Sequence, residues 1–335
     1  MKEALFYNKE ENGSVRCYLC SHNCSISEGK FGFCGVRQNK AGKLYTYTYA
    51  HPIALNIDPI EKKPLYQFLP GSRSFSLATL GCNFRCGFCQ NWSISQKNYS
   101  GGVSAREDEV MPQEIIEQAV INNCRSISYT YTEPTIFFEY ALDIAKLAKA
   151  KGLYNVFVTN GYMSRQCIEV IKPYLDAANV DLKFFRESAY RNICASSLKP
   201  VLDSIRLMHE LGIWVEITTL IVPGENDSEG ELKQIADFIA SVSCDIPWHL
   251  SRFHPDYRFK NYDSTPEVTI KVAIDIGKAA GLRFVYAGNV LGFGNDTSCY
   301  SCGKLLVKRE GFDILENNIR DGKCRYCNSV MPGVY

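Results

Sequence analysis

Residues 77–92 read LATLGCNFRCGFCQNW, in which a short apolar run leads directly into three closely spaced cysteines, Cys82, Cys86 and Cys89. An apolar run of this length is typical of a buried β-strand, and the cysteines stand where that strand would end. In barrels built from β–α units, the side chains that carry the chemistry lie at the carboxyl ends of the strands. The stretch therefore predicts the first strand of such a barrel and a functional site in the loop after it.

The same alternation of short β-rich runs and longer helical patterns continues to about residue 290. In residues 227–243, apolar side chains recur at helical spacing, and Asp227 or Ser228 can cap the helix start. The seven strand candidates are SFSLATL (74–80), SISYTYT (126–132), NVFVTN (155–160), ANVDLKF (178–184), IWVEITTLIV (213–222), WHLSRF (248–253) and RFVYAG (283–288). This alternation predicts a parallel sheet of right-handed β–α–β units. Because no glycine-rich phosphate loop follows any of these strands, we favour an α/β fold with a partial (β/α)6-type, TIM-like parallel barrel over a doubly wound open sheet.

The composition limits the partners and the location of the protein. A formal net charge of +1 over 335 residues argues against a polyanion held by bulk electrostatics, although a local basic patch could still bind nucleic acid. No apolar run reaches the roughly 18 residues of a membrane span. The N-terminus lacks the hydrophobic core of a signal peptide. We therefore expect a cytoplasmic protein with no membrane partner.

Fifteen cysteines are more than such a chain needs for packing. In a reducing cytosol, metal ligation explains them better than a disulfide framework. Eleven fall in three groups of four, three and four along the chain. The isolated ones are predicted to be small buried hydrophobic residues: Cys124, Cys167, Cys194 and Cys244.

The three cysteines of the opening stretch are one fewer than a closed metal site needs. Three thiolates can hold three irons of a cubane [4Fe–4S] cluster and leave the fourth iron without a protein ligand. That open iron could take a substrate or a cofactor, as the open position of a catalytic zinc does. The alternative is a zinc site completed by a distant cysteine or histidine.

The run CNFRCGFC (82–89) resembles the signature of the radical S-adenosylmethionine (SAM) superfamily, and the chain is similar to its pyruvate formate-lyase activating enzyme branch. The run DPIEKKPLYQFLPG (58–71) and the flanking cysteines resemble the radical SAM enzyme of the AmmeMemoRadiSam system. The resemblance implies that SAM binds the open iron of a [4Fe–4S] cluster. A reductant such as flavodoxin or ferredoxin would supply one electron. The resulting 5′-deoxyadenosyl radical would abstract hydrogen from a substrate that is a metabolite or a macromolecule.

The resemblance also implies a set of SAM-binding residues. Phe88 matches the family's aromatic position beside the adenine, and Thr132 and Glu133 stand where many members meet the SAM ammonium. Asn160 follows a strand near where members present polar groups to the ribose. Each position has a structural alternative: Glu133 could cap the helix that follows, and the Asn-Gly pair at 160 could simply form a tight turn.

Two further positions follow from the same resemblance. Asp181 and Lys183 match a pair near the SAM ribose and carboxylate, with a plain salt bridge as the alternative. His254 matches a histidine close to SAM, with a structural histidine as the alternative. Thr218 departs from the pattern, because family members often carry an arginine on that strand. This departure puts an ordinary activating-enzyme role in doubt.

Each flank of the barrel carries four cysteines, and we expect a metal-binding module at residues 1–50 and another at 293–335, around a radical SAM barrel at 51–292. The N-terminal candidates for zinc or an auxiliary Fe–S cluster are Cys17, Cys20, Cys24 and Cys34, with His22 as a spare ligand. The C-terminal pairs have zinc-ribbon-like spacing, which favours structural zinc over an Fe–S cluster: Cys299, Cys302, Cys324 and Cys327.

Three functions are compatible with these features. The first is a radical SAM enzyme acting on its own unidentified substrate, which the extra modules and Thr218 favour. The second is an activase that installs a glycyl radical on a partner enzyme, which the family branch favours. The third is a non-catalytic multi-zinc binding protein, which polar motifs at the strand ends disfavour.

Overall fold

The computed structural model of the chain describes residues 1–102, 109–290 and 292–335. The N-terminal segment forms two three-stranded antiparallel sheets, ordered β1-β6-β5 and β2-β3-β4. Their strands are β1 (Lys2–Glu3), β2 (Tyr7–Lys9), β3 (Val15–Cys17), β4 (Cys24–Ile26), β5 (Arg37–Lys40) and β6 (Lys43–Thr46).

A single eight-stranded sheet forms the centre of the molecule. Its strands are β7 (Ala54–Pro59), β8 (Arg73–Ala78), β9 (Ser126–Tyr129), β10 (Tyr154–Thr159), β11 (Ala177–Asp181), β12 (Trp214–Ile221), β13 (Trp248–Arg252) and β14 (Val285–Gly288). Strands β8 to β14 are parallel and adjacent in chain order, whereas β7 pairs antiparallel with β8 at one edge. All seven predicted strands are present, so the predicted parallel partial barrel is confirmed.

Helices connect the parallel strands and cover the sheet. They are α1 (Trp92–Ser95), α2 (Pro112–Ile121), α3 (Phe138–Ala150), α4 (Arg165–Ile171), α5 (Glu187–Cys194), α6 (Leu198–Glu210), α7 (Glu229–Val242) and α8 (Glu267–Ala279). Ser228 caps α7 by accepting a hydrogen bond from the backbone N–H of Glu231 at 3.3 Å, as its position predicts. In the described part of the chain, no helix is long and apolar enough to cross a membrane.

The C-terminal segment is made of short antiparallel strands. They are β15 (Thr297–Ser298), β16 (Leu305–Glu310), β17 (Asp313–Asn317), β18 (Ile319–Arg320) and β19 (Lys323–Cys324). Their apolar side chains pack with Tyr66 and Tyr286 of the central domain. The N-terminal segment likewise buries Val15, Leu19 and Val36 in the same core as the barrel helices. Both flanks therefore bury their apolar side chains against the barrel, and the division into three domains stays a prediction.

The isolated cysteines follow the prediction with one exception. Cys124, Cys167 and Cys194 are buried, but Cys244 is exposed. Cys244 lies just beyond the end of α7, where the chain turns at the surface before β13. Its prediction as a buried hydrophobic residue was wrong, because its apolar neighbours in sequence do not decide which side chains face the core.

A buried ion pair joins the N-terminal segment to the barrel. Arg37 of β5 pairs with Glu139 of α3, and their side chains are 1% and 2% exposed. Glu139 also accepts a hydrogen bond from the backbone N–H of Leu5 at 2.7 Å. Removing one member of such a pair leaves the other charge buried and uncompensated.

We therefore predict that Glu139→Gln lowers the free energy of unfolding by about 3–5 kcal/mol, measured by urea unfolding of anaerobically prepared protein. The matched control is Glu169→Gln, because Glu169 pairs with Arg165 at 3.4 Å on an exposed face of α4. That change should cost about 0.5 kcal/mol or less. Equal losses for the two variants would contradict the importance given to the buried pair.

Candidate active site and metal centres

A large cavity opens at the carboxyl ends of the parallel strands. Its empty volume is about 1490 Å³, and its wall is built from the loops that follow β8 to β11, together with side chains of β12 and β13. The predicted site residues in this wall are Cys82, Cys86, Phe88, Cys89, Thr132, Glu133, Asn160, Asp181 and Lys183. Parallel pairing brings these strand ends to one edge, so residues far apart in sequence meet there.

The three cysteines lie on the loop between β8 and α1. Gly81 begins this loop with φ of 94°, and a Cβ built there would lie 2.7 Å from a methyl group of Val36, so glycine is required. The thiol of Cys86 also lies 3.5 Å from the thiol of Cys194. The hydrogen bond with Cys194 and burial both raise the pKa of Cys86. Burial likewise raises the pKa of Cys82, so thiolates here need a cation to stabilise them.

The three cysteines supply three thiols to one cavity wall. Around one tetrahedral zinc, ligand sulfurs lie about 3.8 Å apart, as follows from a Zn–S bond of about 2.3 Å. Within the residues that the structure describes, Cys82, Cys86 and Cys89 are not among the compact groups of possible metal ligands. Three thiolates suit a cubane cluster, in which each sulfur binds a different iron and one iron stays open.

Glu133 ties the ends of two strands together. Its carboxylate accepts hydrogen bonds from the backbone N–H of Thr135 at 3.0 Å, the Thr159 hydroxyl at 2.7 Å and the Asn160 N–H at 2.8 Å. The N-capping contact expected as the structural alternative is thus present. Burial raises the pKa of Glu133, although these hydrogen bonds act in the opposite direction. The oxygen Oε2 accepts the Asn160 N–H as its hydrogen bond among the described residues.

Asn160 connects this carboxylate to the cysteine loop. Its amide nitrogen donates to the side-chain oxygen of Asn83 at 2.7 Å and lies 3.9 Å from the Cys82 sulfur. Its own side-chain oxygen accepts from the Tyr162 N–H at 3.0 Å, which is the tight turn foreseen as an alternative. Asn160 is therefore both a turn residue and a neighbour of the first cysteine.

Asp181 and Lys183 form an ion pair at 2.8 Å in the cavity wall. Burial alone would lower the pKa of Lys183, but the charge and hydrogen bond of Asp181 together with the nearby Cys86 and Cys194 outweigh it and raise that pKa, so the ammonium stays charged. The Lys183 ammonium also lies 5.9 Å from the ring centre of Phe88. The salt bridge that the sequence offered as an alternative is present. Asp181 and Lys183 also both line the cavity.

His254 lies beside the cavity rather than in its wall. Its ring contacts the amide nitrogen of Gln90 at 3.0 Å, and Gln90 does line the cavity. Thr218, where the family often has arginine, is in the wall and donates its hydroxyl to Asn179 at 2.9 Å. The sequence thus located His254 near the site, but a contact with a bound molecule would pass through Gln90.

The cavity wall also contains a charged cluster whose function was not predicted from the sequence. The buried Lys63 ammonium contacts Asp58 at 2.5 Å, and the Tyr131 hydroxyl donates to the same carboxylate. Burial lowers the pKa of Lys63 to about 8. Burial alone would raise the pKa of Asp58, but the hydrogen bonds from Lys63, Tyr131 and Lys62 outweigh it and lower that pKa. The run DPIEKK (58–63) was noted in the sequence for its family resemblance. Only the folded structure, however, brings Asp58 into contact with Tyr131, which follows β9.

The C-terminal cysteines form a compact tetrahedral group. The four sulfurs all lie within 4.8 Å of one another, with 3.6 Å between those of Cys299 and Cys327 and 3.8 Å between those of Cys302 and Cys324. These separations match the roughly 3.8 Å expected around zinc. A residue with positive φ follows each pair, Gly303 after the first and Asn328 after the second, so the chain turns tightly there. The four cysteines could therefore hold a metal ion, and structural zinc stays a prediction.

The N-terminal cysteines also converge. Cys17, Cys20, Cys24 and Cys34 line one cavity together with His22. The His22 ring contacts the backbone oxygen of Asn83 at 2.6 Å. The predicted spare ligand is thus held against the active-site loop.

Comparisons with known proteins agree with this geometry. Residues 76–239 match the model of the Radical SAM superfamily. An uncharacterized protein of Methanocaldococcus jannaschii is 42% identical over 335 residues, which cover 99% of each chain. The pyruvate formate-lyase-activating enzyme of Clostridium pasteurianum is 24% identical over 166 residues, covering 48% of this chain and 67% of the relative. A radical SAM methyltransferase from Sphaerobacter thermophilus shares the fold with a TM-score of 0.51 at 15% identity, covering 71% of each chain.

We predict that Cys82→Ala removes the iron of the active site and abolishes 5′-deoxyadenosine release from SAM. Cys82 is a sharper target than Cys86, because the Cys194 sulfur lies 3.5 Å from that of Cys86 and could replace it as a ligand. Iron content and product release by chromatography provide the measurement. Cys244→Ser, at an exposed cysteine, is the control and should change neither quantity. Undiminished release from the Cys82 variant would contradict the assignment.

For the C-terminal site we predict that Cys299→Ser lowers the zinc content and the thermal unfolding midpoint while the iron content stays unchanged. Loss of a ligand from a small metal module removes the binding energy that holds it folded. Metal analysis together with a thermal melt measures both effects. Retained stability with lost turnover would instead make this site catalytic.

Proposed function

The chain belongs to the radical SAM superfamily, and we propose that it abstracts hydrogen from a small polar metabolite bound beside the SAM site. Enzymes of this family use a [4Fe–4S] cluster to cleave SAM reductively to a 5′-deoxyadenosyl radical, and this chain is such an enzyme. Its substrate is not identified by these relatives. The third hypothesis, a non-catalytic multi-zinc binding protein, does not agree with this family membership.

The cavity at the strand ends supports specific roles for its wall residues. We assign Cys82, Cys86 and Cys89 as ligands of three irons, because all three line the same cavity and three thiolates leave one iron of a cubane open. Bound there, the cluster supplies the electron that breaks the C5′–S bond of SAM. The chain's own residues bind and orient SAM and exclude water.

The remaining wall residues are suited to the polar groups of SAM. The carboxylate of Glu133, supported by Thr132, suits the ammonium. The Asp181–Lys183 pair offers one group for the ribose hydroxyls and one for the carboxylate. Asn160 is placed for the ribose.

Two aromatic contacts complete this proposed SAM site. Phe88 lies in the wall and packs edge-to-face against Phe184, with ring centres 5.9 Å apart, which fixes its ring beside the position assigned to the adenine. His254 contacts the side chain of Gln90 and would hold that side chain in the cavity wall.

The observation that carries the substrate proposal is a second cavity next to the first. Its empty volume is about 1230 Å³, and the two cavities share Lys62, Pro64, Thr218 and Ser251 in their walls. On the far side, the turn between β16 and β17 supplies Gly311 and Phe312 to the wall. The C-terminal segment thus limits the space beside SAM, which favours a molecule smaller than a protein segment.

The chemistry of this second cavity indicates what it binds. Glu61 Oε2 and Asn295 Oδ1 are buried, and neither has a hydrogen-bond partner in the described part of the chain. Both residues line the cavity. An unpaired buried acceptor costs free energy unless a ligand donates to it. A metabolite that presents hydroxyl or amino groups would satisfy both acceptors.

An activase role is the second candidate, because relatives include activating enzymes such as that of Clostridium pasteurianum. It would require a protein partner to reach SAM past the C-terminal segment. A one-electron donor such as flavodoxin or ferredoxin serves either role. We propose a cytoplasmic location, because cysteines that ligate metals are typical of a reducing compartment. The binding of nucleic acid stays a possibility from the sequence, and none of the described contacts adds support to it.

The decisive experiment uses deuterium. Cells of the source organism are grown in heavy water, and their extract is split into a low-molecular-weight filtrate and a retained protein fraction. Each is incubated with reduced enzyme and unlabelled SAM. We expect 5′-deoxyadenosine with a single deuterium, derived from the unlabelled SAM, only with the filtrate; labelled SAM of the cells gives a product with several deuteriums, which mass spectrometry separates. Label transfer from the protein fraction alone would contradict the metabolite proposal and favour the activase.

The second cavity can be tested separately with Asn295→Ala. This variant should reduce filtrate-dependent label transfer at least tenfold, while SAM binding, measured by equilibrium dialysis, stays unchanged, because Asn295 is absent from the described wall of the SAM cavity. Asn317→Ala, outside both walls, serves as the control. Unchanged transfer by the Asn295 variant would place the substrate elsewhere.

A further inference from the structure

The four N-terminal cysteines surround one cavity that the sequence could not assign to a particular metal. Cys17 ends β3 and Cys24 begins β4, where the two residues pair across the strands. Cys20 lies in the turn between them, and Cys34 comes from the loop after β4. The cavity wall also contains the apolar side chains of Leu19, Ile26, Phe33 and Ile136.

The position of the N-terminal group favours iron–sulfur over zinc. The C-terminal group is compact, with four sulfurs within 4.8 Å of one another, and lies away from the active-site cysteines. The N-terminal group instead packs on the active-site loop, where the His22 ring contacts the backbone oxygen of Asn83 at 2.6 Å. A zinc ion has no redox chemistry, whereas an iron–sulfur cluster at this place can carry an electron.

We therefore propose that Cys17, Cys20, Cys24 and Cys34 ligate a second [4Fe–4S] cluster, which passes electrons to the active-site cluster. Four cysteine ligands close every iron of a cubane, so this cluster has no open position for SAM. Its role is then electron transfer. The assignment of the metal does not depend on the substrate proposed above, whereas the transfer role rests on the radical SAM activity.

Arg37, whose charge is balanced by Glu139, offers hydrogen-bond donors to such a cluster. A cubane with four thiolates is anionic, and burying it is costly without a nearby cation or hydrogen-bond donors. The Arg37 guanidinium is 1% exposed, and its Nη1 lies 3.9 Å from the Cys17 sulfur. Its Nε is buried and has no partner in the described part of the chain. One N–H therefore remains available towards the cavity.

The two cysteine sites are in direct contact. A Cβ built on Gly81 would lie 3.1 Å from the backbone oxygen of Cys34, and Gly81 precedes Cys82 in the chain. The His22 ring contacts the backbone oxygen of Asn83 at 2.6 Å, so the segment between Cys20 and Cys24 also touches the active-site loop. An electron on the N-terminal cluster therefore has a short route to the active site.

The electron balance of this transfer is simple. A low-potential one-electron donor protein is oxidised by one electron, which reduces the N-terminal cluster. The N-terminal cluster is reoxidised when the electron passes to the active site, and the electron is consumed when the C5′–S bond of SAM breaks. Cys20 and Cys24 are partly exposed, and the neighbouring Phe33 is 38% exposed, so a donor can approach this side.

Metal analysis of the full-length, anaerobically reconstituted protein tests the assignment. We expect about eight irons and eight sulfides with one zinc per chain, and about four irons with one zinc in Cys20→Ala/Cys24→Ala. The electron paramagnetic resonance signal of the dithionite-reduced double variant should still change on adding SAM. About four irons with two zincs in the unaltered protein would overturn the proposal. That count decides the question even where the variant fails to fold.

The transfer role has its own test. Reduced flavodoxin should reduce the active-site cluster at least tenfold more slowly in Cys20→Ala/Cys24→Ala than in the unaltered protein, as followed by the visible absorbance of the cluster. Cys244→Ser, at an exposed cysteine elsewhere, should keep the original rate. An unchanged rate in the double variant would overturn the transfer role but not the metal assignment.

Discussion

The site depends first on the parallel pairing of β8 to β13, which brings six strand ends to one edge of the sheet. Backbone hydrogen bonds between the strands fix the register, so each loop starts at a set position. Glu133 then connects the loop after β9 to the end of β10 through hydrogen bonds of 2.7 to 3.0 Å. Asn160 continues this connection to Asn83 beside Cys82. The cysteine loop is thus held in place before any cofactor binds.

The three groups of cysteines differ in their arrangement. The compact C-terminal group fits one tetrahedral ion, whereas the active-site triplet offers three thiols to the cavity wall and suits a cluster with one open iron. Each group also has a distinct neighbourhood. The C-terminal group supports a segment that borders the second cavity, whereas the N-terminal group packs directly on the active-site loop. Structural support and electron supply are therefore assigned to opposite flanks of the barrel.

Local sequence patterns predicted the seven parallel strands and the residues at their ends, because strand–helix alternation and cysteine spacing are local signals. The edge strand β7 was not predicted, since half of its residues are exposed and it ends in Pro59. The Asp58–Lys63–Tyr131 cluster could not be predicted either, because residue 131 is about 70 residues away in sequence. Two further features also depend on tertiary packing: the exposure of Cys244 and the position of Phe312 in the wall of the second cavity. Sequence thus located the first cavity but not the second.

The central claim is that the active-site cluster has one iron open to SAM. Electron–nuclear double resonance of the reduced protein with SAM labelled by ¹⁵N in its amino group and ¹⁷O in its carboxylate tests this most directly. Direct coordination predicts hyperfine coupling of both labels to the cluster, and this coupling should be absent from Cys82→Ala. A reduced cluster that shows no coupling to either label would contradict the account.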